Sequence, residues 1–118
     1  MKQKFLLLIT GLLLISCDPD VTYDYFVVNN CNEEIIVNIT DLNNIKTEIQ
    51  IPPYSEKHIY NNVIWGFVYV NYFFKEFVVR KNNINSNVNY INQDLWVIKE
   101  STRLTCKEYL TVNPEDFE

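Results

Sequence analysis

Asn44-Ile45-Lys46-Thr47-Glu48-Ile49-Gln50-Ile51 alternates without interruption, with Ile45, Thr47, Ile49 and Ile51 on one parity and Asn44, Lys46, Glu48 and Gln50 on the other. Successive strand side chains point to opposite faces, so this stretch reads as a β-strand with one face in a core and one in water. Pro52-Pro53 ends it, because neither residue can donate to a ladder. Upstream, Ile35, Val37 and Ile39 alternate with Asn38 and Thr40, and Leu42-Asn43-Asn44 forms the turn between the two runs. Earlier still, Tyr23, Tyr25 and Val27 share a parity up to Asn29-Asn30-Cys31-Asn32.

The same period recurs downstream. After a turn at Tyr54-Ser55-Glu56, Lys57 to Tyr60 reads as a short strand that Asn61-Asn62 breaks. Val63 to Val79 is apolar on both parities, and one long strand, two strands or a helix would each accommodate that. Its β-branched and aromatic residues and the missing capping box favour strands, so we read Ile64–Val70 and Phe73–Lys81, joined near Asn71-Tyr72. Asn82 to Asn92 is an asparagine-rich tract, hence a flexible loop. Leu95–Glu100 and Leu104–Val112 then form a hairpin about Ser101-Thr102-Arg103, and Phe117 is expected to fold back on the core. Seven or eight short strands with no convincing helix predict an all-β fold, a single small antiparallel β-sandwich.

The N-terminus reads differently. Lys2 and Lys4 precede an apolar run from Phe5 to Ile15, and Ser16 then precedes Cys17. The run is about half of the ~20 residues a membrane-crossing helix needs, which suits a cleaved secretory leader. Leu14-Ile15-Ser16-Cys17 resembles the bacterial lipobox, where an apolar, a variable and a small residue precede the modified cysteine. The resemblance implies that cleavage precedes Cys17, that its thiol carries a diacylglycerol thioether, and that its new amine is open to acylation. The expected layout is a signal peptide over 1–16, a lipidated tether over 17–22 and a sandwich over 23–118.

Other stretches are similar in plan to small cell-envelope lipoproteins common in Bacteroidetes. These are Tyr25-Phe26-Val27-Val28-Asn29-Asn30, Ile49-Gln50-Ile51-Pro52-Pro53, and Tyr109-Leu110-Thr111-Val112 with Glu115-Asp116-Phe117. That likeness implies attachment to the outer membrane, in either leaflet, and implies no activity.

Composition narrows the partners. Loss of the leader takes Lys2 and Lys4 with it and moves the formal net charge from −5 to −7. The remaining basic residues are dispersed, so no surface is expected to release counterions from nucleic acid. With Cys17 modified, Cys31 and Cys106 are an even pair in an oxidising compartment and are expected to form a disulfide. Closing so long a loop would contribute roughly 4 to 5 kcal/mol. Two unpaired thiols or a metal pair are the alternatives, and a single histidine, His58, leaves a four-ligand metal site incomplete.

Catalytic parts are scarce. The two glycines, Gly11 and Gly66, make no phosphate-cradling loop, and Ser55 and His58 fall on opposite faces of a strand. Asp41, Glu48, Glu76 and Asp94 are the carboxylates from which a glycosidase pair could be drawn. The surplus is aromatic: Trp65, Phe67, Tyr69, Tyr72, Phe73, Phe74 and Phe77 crowd together, with Trp96 further on. Such rings either fill a core or stack on sugars and anchor interfaces, and Trp65, Tyr69, Tyr72 and Trp96 are the candidate binding residues. The expected function is a membrane-anchored, non-enzymatic binding module without cofactor or metal. Its partners would be the bilayer, through acylated Cys17, and an envelope protein or glycan. A small hydrolase of envelope glycans and an inhibitory or exclusion lipoprotein are the alternatives.

Overall fold

The computed structural model describes residues 20–101 and 104–118. Cys17, the leader, and Thr102 and Arg103 of the expected hairpin turn lie outside the described residues. Two four-stranded sheets hold the fold. One, in the order β4-β1-β8-β7, contains Glu56–Trp65, Asp20–Asn29, Thr105–Val112 and Trp96–Ser101. The other, in the order β3-β2-β5-β6, contains Lys46–Ile51, Ile35–Asp41, Phe74–Lys81 and Ile84–Asn85.

The core comes from the predicted alternation. Val21, Tyr23, Tyr25 and Val27 of β1 and Ile35, Val37 and Ile39 of β2 are buried, and β8 adds Cys106, Leu110 and Val112. Every ladder is antiparallel except that of β1 with β8, where the first and last strands run parallel from Thr22–Thr105 to Asn29–Val112. β1 begins at Asp20, so the last part of the expected tether is already sheet. At its far end the buried Asn29 gathers three segments. Its amide donates to the carbonyls of Glu33, Ile51 and Pro52 at 2.8, 3.1 and 3.0 Å, and its Oδ1 accepts from Cys31 N at 2.9 Å.

Several expectations are corrected. Cys31 and Cys106 are buried free thiols and form no disulfide. Cys106 lies opposite Tyr23, whereas Cys31 Sγ sits 3.8 Å from the carbonyl of Val112, which lies opposite Asn29. The two sites are six residues apart along β8, or about 20 Å, and a bridge needs α-carbons within about 7 Å. In β3 only Ile49 and Ile51 pack inward, while Ile45 and Thr47 are exposed because this edge strand overhangs the core at its start. Asn61-Asn62 does not break the chain, since β4 is an edge strand and carries both amides in solvent through to Trp65. Residues 66–70 are not a strand: the chain leaves β4 and makes a short 3-10 turn over Val70–Tyr72.

The asparagine tract is also more ordered than expected. Asn82 and Asn83 both have positive φ, 52° and 63°, which suits the tight hairpin joining β5 to β6. Tyr90 is buried beyond it, donating to Asp116 Oδ2 at 3.0 Å. Phe117 packs on the core as expected, with the Lys81 ammonium 4.8 Å from its ring centre.

Candidate functional site

Four aromatic side chains stand out of one end of the sandwich. Trp65, Phe67, Tyr69 and Tyr72 are 64, 79, 70 and 46% exposed. The end is defined by register: Asp20, where β1 starts, pairs with Trp65, the last residue of β4. Phe74, the first residue of β5, pairs with Asp41 at the end of β2. Residues 66–73 therefore pass from one sheet to the other and close this end of the core.

Gly66 turns the chain at φ 91°, a conformation that costs a glycine little. Beyond it the side chains alternate. Phe67, Tyr69 and Tyr72 project outward, while Val70 and Phe73 are buried and Val68 packs against the core. Two side chains, the buried Tyr23 and the half-buried Gln93, hold the segment in place. The Tyr23 hydroxyl donates to Gly66 O at 3.2 Å and accepts from Val68 N at 2.9 Å. Gln93 Oε1 accepts from Val70 N at 2.6 Å, and its amide donates to the buried carboxylate of Glu108. The exposed rings are thus mounted on a backbone whose own hydrogen bonds are made inside the fold, so ordering them on contact costs less entropy.

Neighbouring apolar groups widen the patch. Leu42, Ile45 and Val63 are each more than half exposed. A groove of about 320 Å³ runs between the β2–β3 turn and β4, lined by Leu42, Asn43, Tyr60, Asn62, Val63, Ile64, Tyr72 and Phe73. On the other side of the loop, Tyr69 and Ile91 with Asn71, Asn89, Asn92 and Gln93 border a hollow of about 360 Å³.

The four candidate binding residues therefore divide. Trp65, Tyr69 and Tyr72 share the exposed end, and Trp96 does not belong with them. Trp96 is 5% exposed, donates from Nε1 to Tyr90 O at 2.7 Å, and packs edge-on against Tyr25 and Phe77 with ring centres at 5.2 and 5.8 Å. Phe67 is more exposed than any of the four, and its shared parity with Trp65 and Tyr69 was the available signal. Tyr23 and Gln93, which mount the loop, carry no sequence signal for that task. Replacing Trp65, Tyr69 or Tyr72 singly by alanine is expected to change stability by less than about 1 kcal/mol in urea unfolding. Losses of several kcal/mol would make these rings core.

The carboxylates are occupied elsewhere. Asp41 Oδ1 accepts from Asn43 N and Ile45 N at 2.8 and 3.0 Å, stabilising the β2–β3 turn. Glu48 pairs with Arg80 at 2.8 Å, Glu76 accepts from Thr40 Oγ1 at 3.5 Å, and Asp94 lies in the 3-10 turn Gln93–Leu95. His58 sits 2.9 Å from Asp24 on the outer face of its sheet. Among the described residues no three His, Cys, Asp or Glu side chains are grouped as metal ligands would be, and no helix is long and apolar enough to cross a membrane.

The buried thiols and phenols are held neutral. Burial first, and then the Glu108 charge, push the Cys106 thiol from 9.0 up to about 11. Burial is also the largest cause for Tyr25, Tyr23, Tyr90 and Cys31, all raised above their ordinary values. Each of these groups titrates earlier in the unfolded chain than in the folded one. Their contribution to stability is present below the unfolded value and lost as pH climbs towards the folded one. The urea midpoint should stay insensitive to these groups below the ordinary thiol value of 9.0 and fall between there and about 11. A flat midpoint across that window would contradict the buried, neutral thiol and phenols.

No known protein family, curated protein or solved structure compared with this chain matches it.

Proposed function

We propose that this protein is a lipid-anchored, non-enzymatic interaction module of the cell envelope, working through the aromatic end of its sandwich. The observation that carries the reading is the set of exposed rings on residues 65–72, held from below by Tyr23 and Gln93. Exposed large apolar residues scattered singly need no explanation, but a group of them mounted on an ordered loop marks an interaction surface. The anchor half of the reading rests on Leu14-Ile15-Ser16-Cys17. Cleavage and acylation there would leave a hydrocarbon-bearing cysteine just ahead of β1, and two or three acyl chains hold a protein stably on a membrane.

Metabolic labelling with an alkyne fatty acid tests that anchor. The expected result is a labelled protein in the membrane fraction whose label is lost in Cys17→Ala. An unlabelled wild-type chain, or one labelled equally after the substitution, would overturn the anchored reading.

A further inference from the structure

We infer that the aromatic end of the sandwich docks on the lipid bilayer that carries the anchor, with Trp65, Phe67 and Tyr69 in the headgroup layer. This rests on the acylation of Cys17 proposed above and names the occupant of the same surface.

The argument is one of reach. From Cys17 to Asp20 the chain takes three steps, which span at most about 11 Å when extended. Asp20 is the cross-strand partner of Trp65, and such α-carbons lie about 5 Å apart. An acylated Cys17 sits at the top of the hydrocarbon, so Trp65 lies within about 16 Å of it whatever path the tether takes. A folded protein of a hundred residues has a radius of gyration of about 13 Å and would not fit into that gap. The headgroup layer itself is several ångströms deep on each side of the bilayer and takes up much of the distance.

The chemistry of the patch agrees with that occupant. Trp and Tyr concentrate at membrane–water interfaces, where an apolar ring body and a polar N–H or O–H each find a suitable environment. Leu42 and Ile45, from the β2–β3 turn, extend the apolar surface at the same end. The opposite end is mostly polar, with Asn30, Asn32, Glu33, Glu34, Asn82 and Asn83 all exposed, and Tyr54 and Ile84 are its large exposed apolar side chains. With a net charge of −7 after cleavage, the protein would not be drawn to anionic lipid by its charge, so apolar contact must supply the docking. Tethering makes weak contact sufficient, because a short linker confines the rings near the surface at millimolar effective concentration.

The two tryptophans provide the test, since Trp65 is exposed and Trp96 is buried. The acylated mature protein, purified from membranes, is reconstituted into phosphatidylethanolamine and phosphatidylglycerol vesicles with brominated acyl chains. Co-flotation is measured together with tryptophan emission. The expected result is flotation with blue-shifted, bromine-quenched emission, the quenching lost in Trp65→Phe and reduced in Phe67→Ser. If the protein floats but Trp65 is quenched by aqueous iodide and not by bromolipid, the end faces water and docking is overturned while the anchor stands. If Trp65 is shielded from iodide in native membranes yet unquenched in bromolipid vesicles, the occupant is an envelope protein and docking is likewise overturned. A wild-type protein that does not float removes the anchor, and the inference with it.

Discussion

Trp96→Ala is expected to destabilise the domain by about 4 kcal/mol, whereas Trp65→Ala leaves it nearly unchanged. Two residues of one type, both belonging to the aromatic surplus, thus separate by position. Trp96 starts β7 opposite Leu110 and drives its indole between Tyr25 and Phe77. Tyr25 in turn meets Phe73 and Phe74 with ring centres at 5.6 and 5.4 Å, so removing the indole opens a cavity at the middle of a ring cluster. The substitution also leaves the buried Tyr90 carbonyl without the Nε1 donor at 2.7 Å. Small domains are stable by only about 5 to 15 kcal/mol, so the loss is a large share of the total. Thermal unfolding should show it as a fall in Tm of at least about 15 °C for a domain this size. A change below about 1 kcal/mol would mean that the indole is not in the core.

The second large effect is expected at Asn29. Asn29→Ala removes an amide that satisfies three carbonyls and one backbone N–H at the end of β1, and all four partners belong to segments that must meet there. The amide has two hydrogens to share among the three carbonyls and accepts one further bond, so at a net worth near 1 kcal/mol per bond the loss is about 3 kcal/mol. Asn29→Asp separates geometry from chemistry. It keeps the shape and the acceptor for Cys31 N, but it turns an oxygen toward the carbonyls of Glu33, Ile51 and Pro52. It should be at least as damaging as alanine at neutral pH, and partly rescued once the carboxyl is protonated. Urea unfolding of both variants at neutral and acidic pH measures this. An aspartate variant as stable as wild type would contradict the assignment of the amide nitrogen to the three carbonyls.

Three of the four inner strands, β1, β2 and β8, were legible because burial on one face imposes period two. Val21 to Val27, Ile35 to Ile39 and Cys106 to Val112 alternate strictly, and each fell where it was read. Edges were harder. β4 carries Asn61 and Asn62 at no penalty because nothing packs over them, so a pair of polar residues that would end an inner strand does not end this one. β3 shows the converse: its alternation is complete, yet Ile45 and Thr47 find no opposing sheet. Hydropathy reports what a face could bury, and the length of the neighbouring elements decides what it does bury.

The aromatic site was half legible for a related reason. Trp65 to Phe73 is apolar on both parities because Val68, Val70 and Phe73 seal the core while Trp65, Phe67, Tyr69 and Tyr72 stand in solvent, and hydropathy shows neither the direction nor the switch of parity at the Val70–Tyr72 turn. Burial by Val70 and Phe73 settles the direction only once the segment is seen to cross from β4 to β5. The cysteines failed differently. An even count fits a bridge when export is expected, but the parallel register of β1 and β8 puts Cys106 near one end of the sandwich and Cys31 near the other. Pairing depends on register, and a count of residues carries none.

The place of β1 between β4 and β8 has a mechanical consequence for an anchored protein. A lipid tether at the N-terminal side of Asp20, as proposed, would pull along the axis of a strand hydrogen-bonded on both sides. The load falls in shear on two ladders at once, from Asp20–Trp65 to Val28–Glu56 and from Thr22–Thr105 to Asn29–Val112. Bonds loaded in parallel must fail together, whereas an edge strand peeled from its end gives way one bond at a time. At the far end of the same strand the Asn29 side chain acts as a knot in the rope, fastened to the turn at Cys31 and Glu33 and to the end of β3 at Ile51 and Pro52. A pull on the lipid would therefore be carried by the interior of the fold, and the weakest link would be the grip of the acyl chains on the membrane.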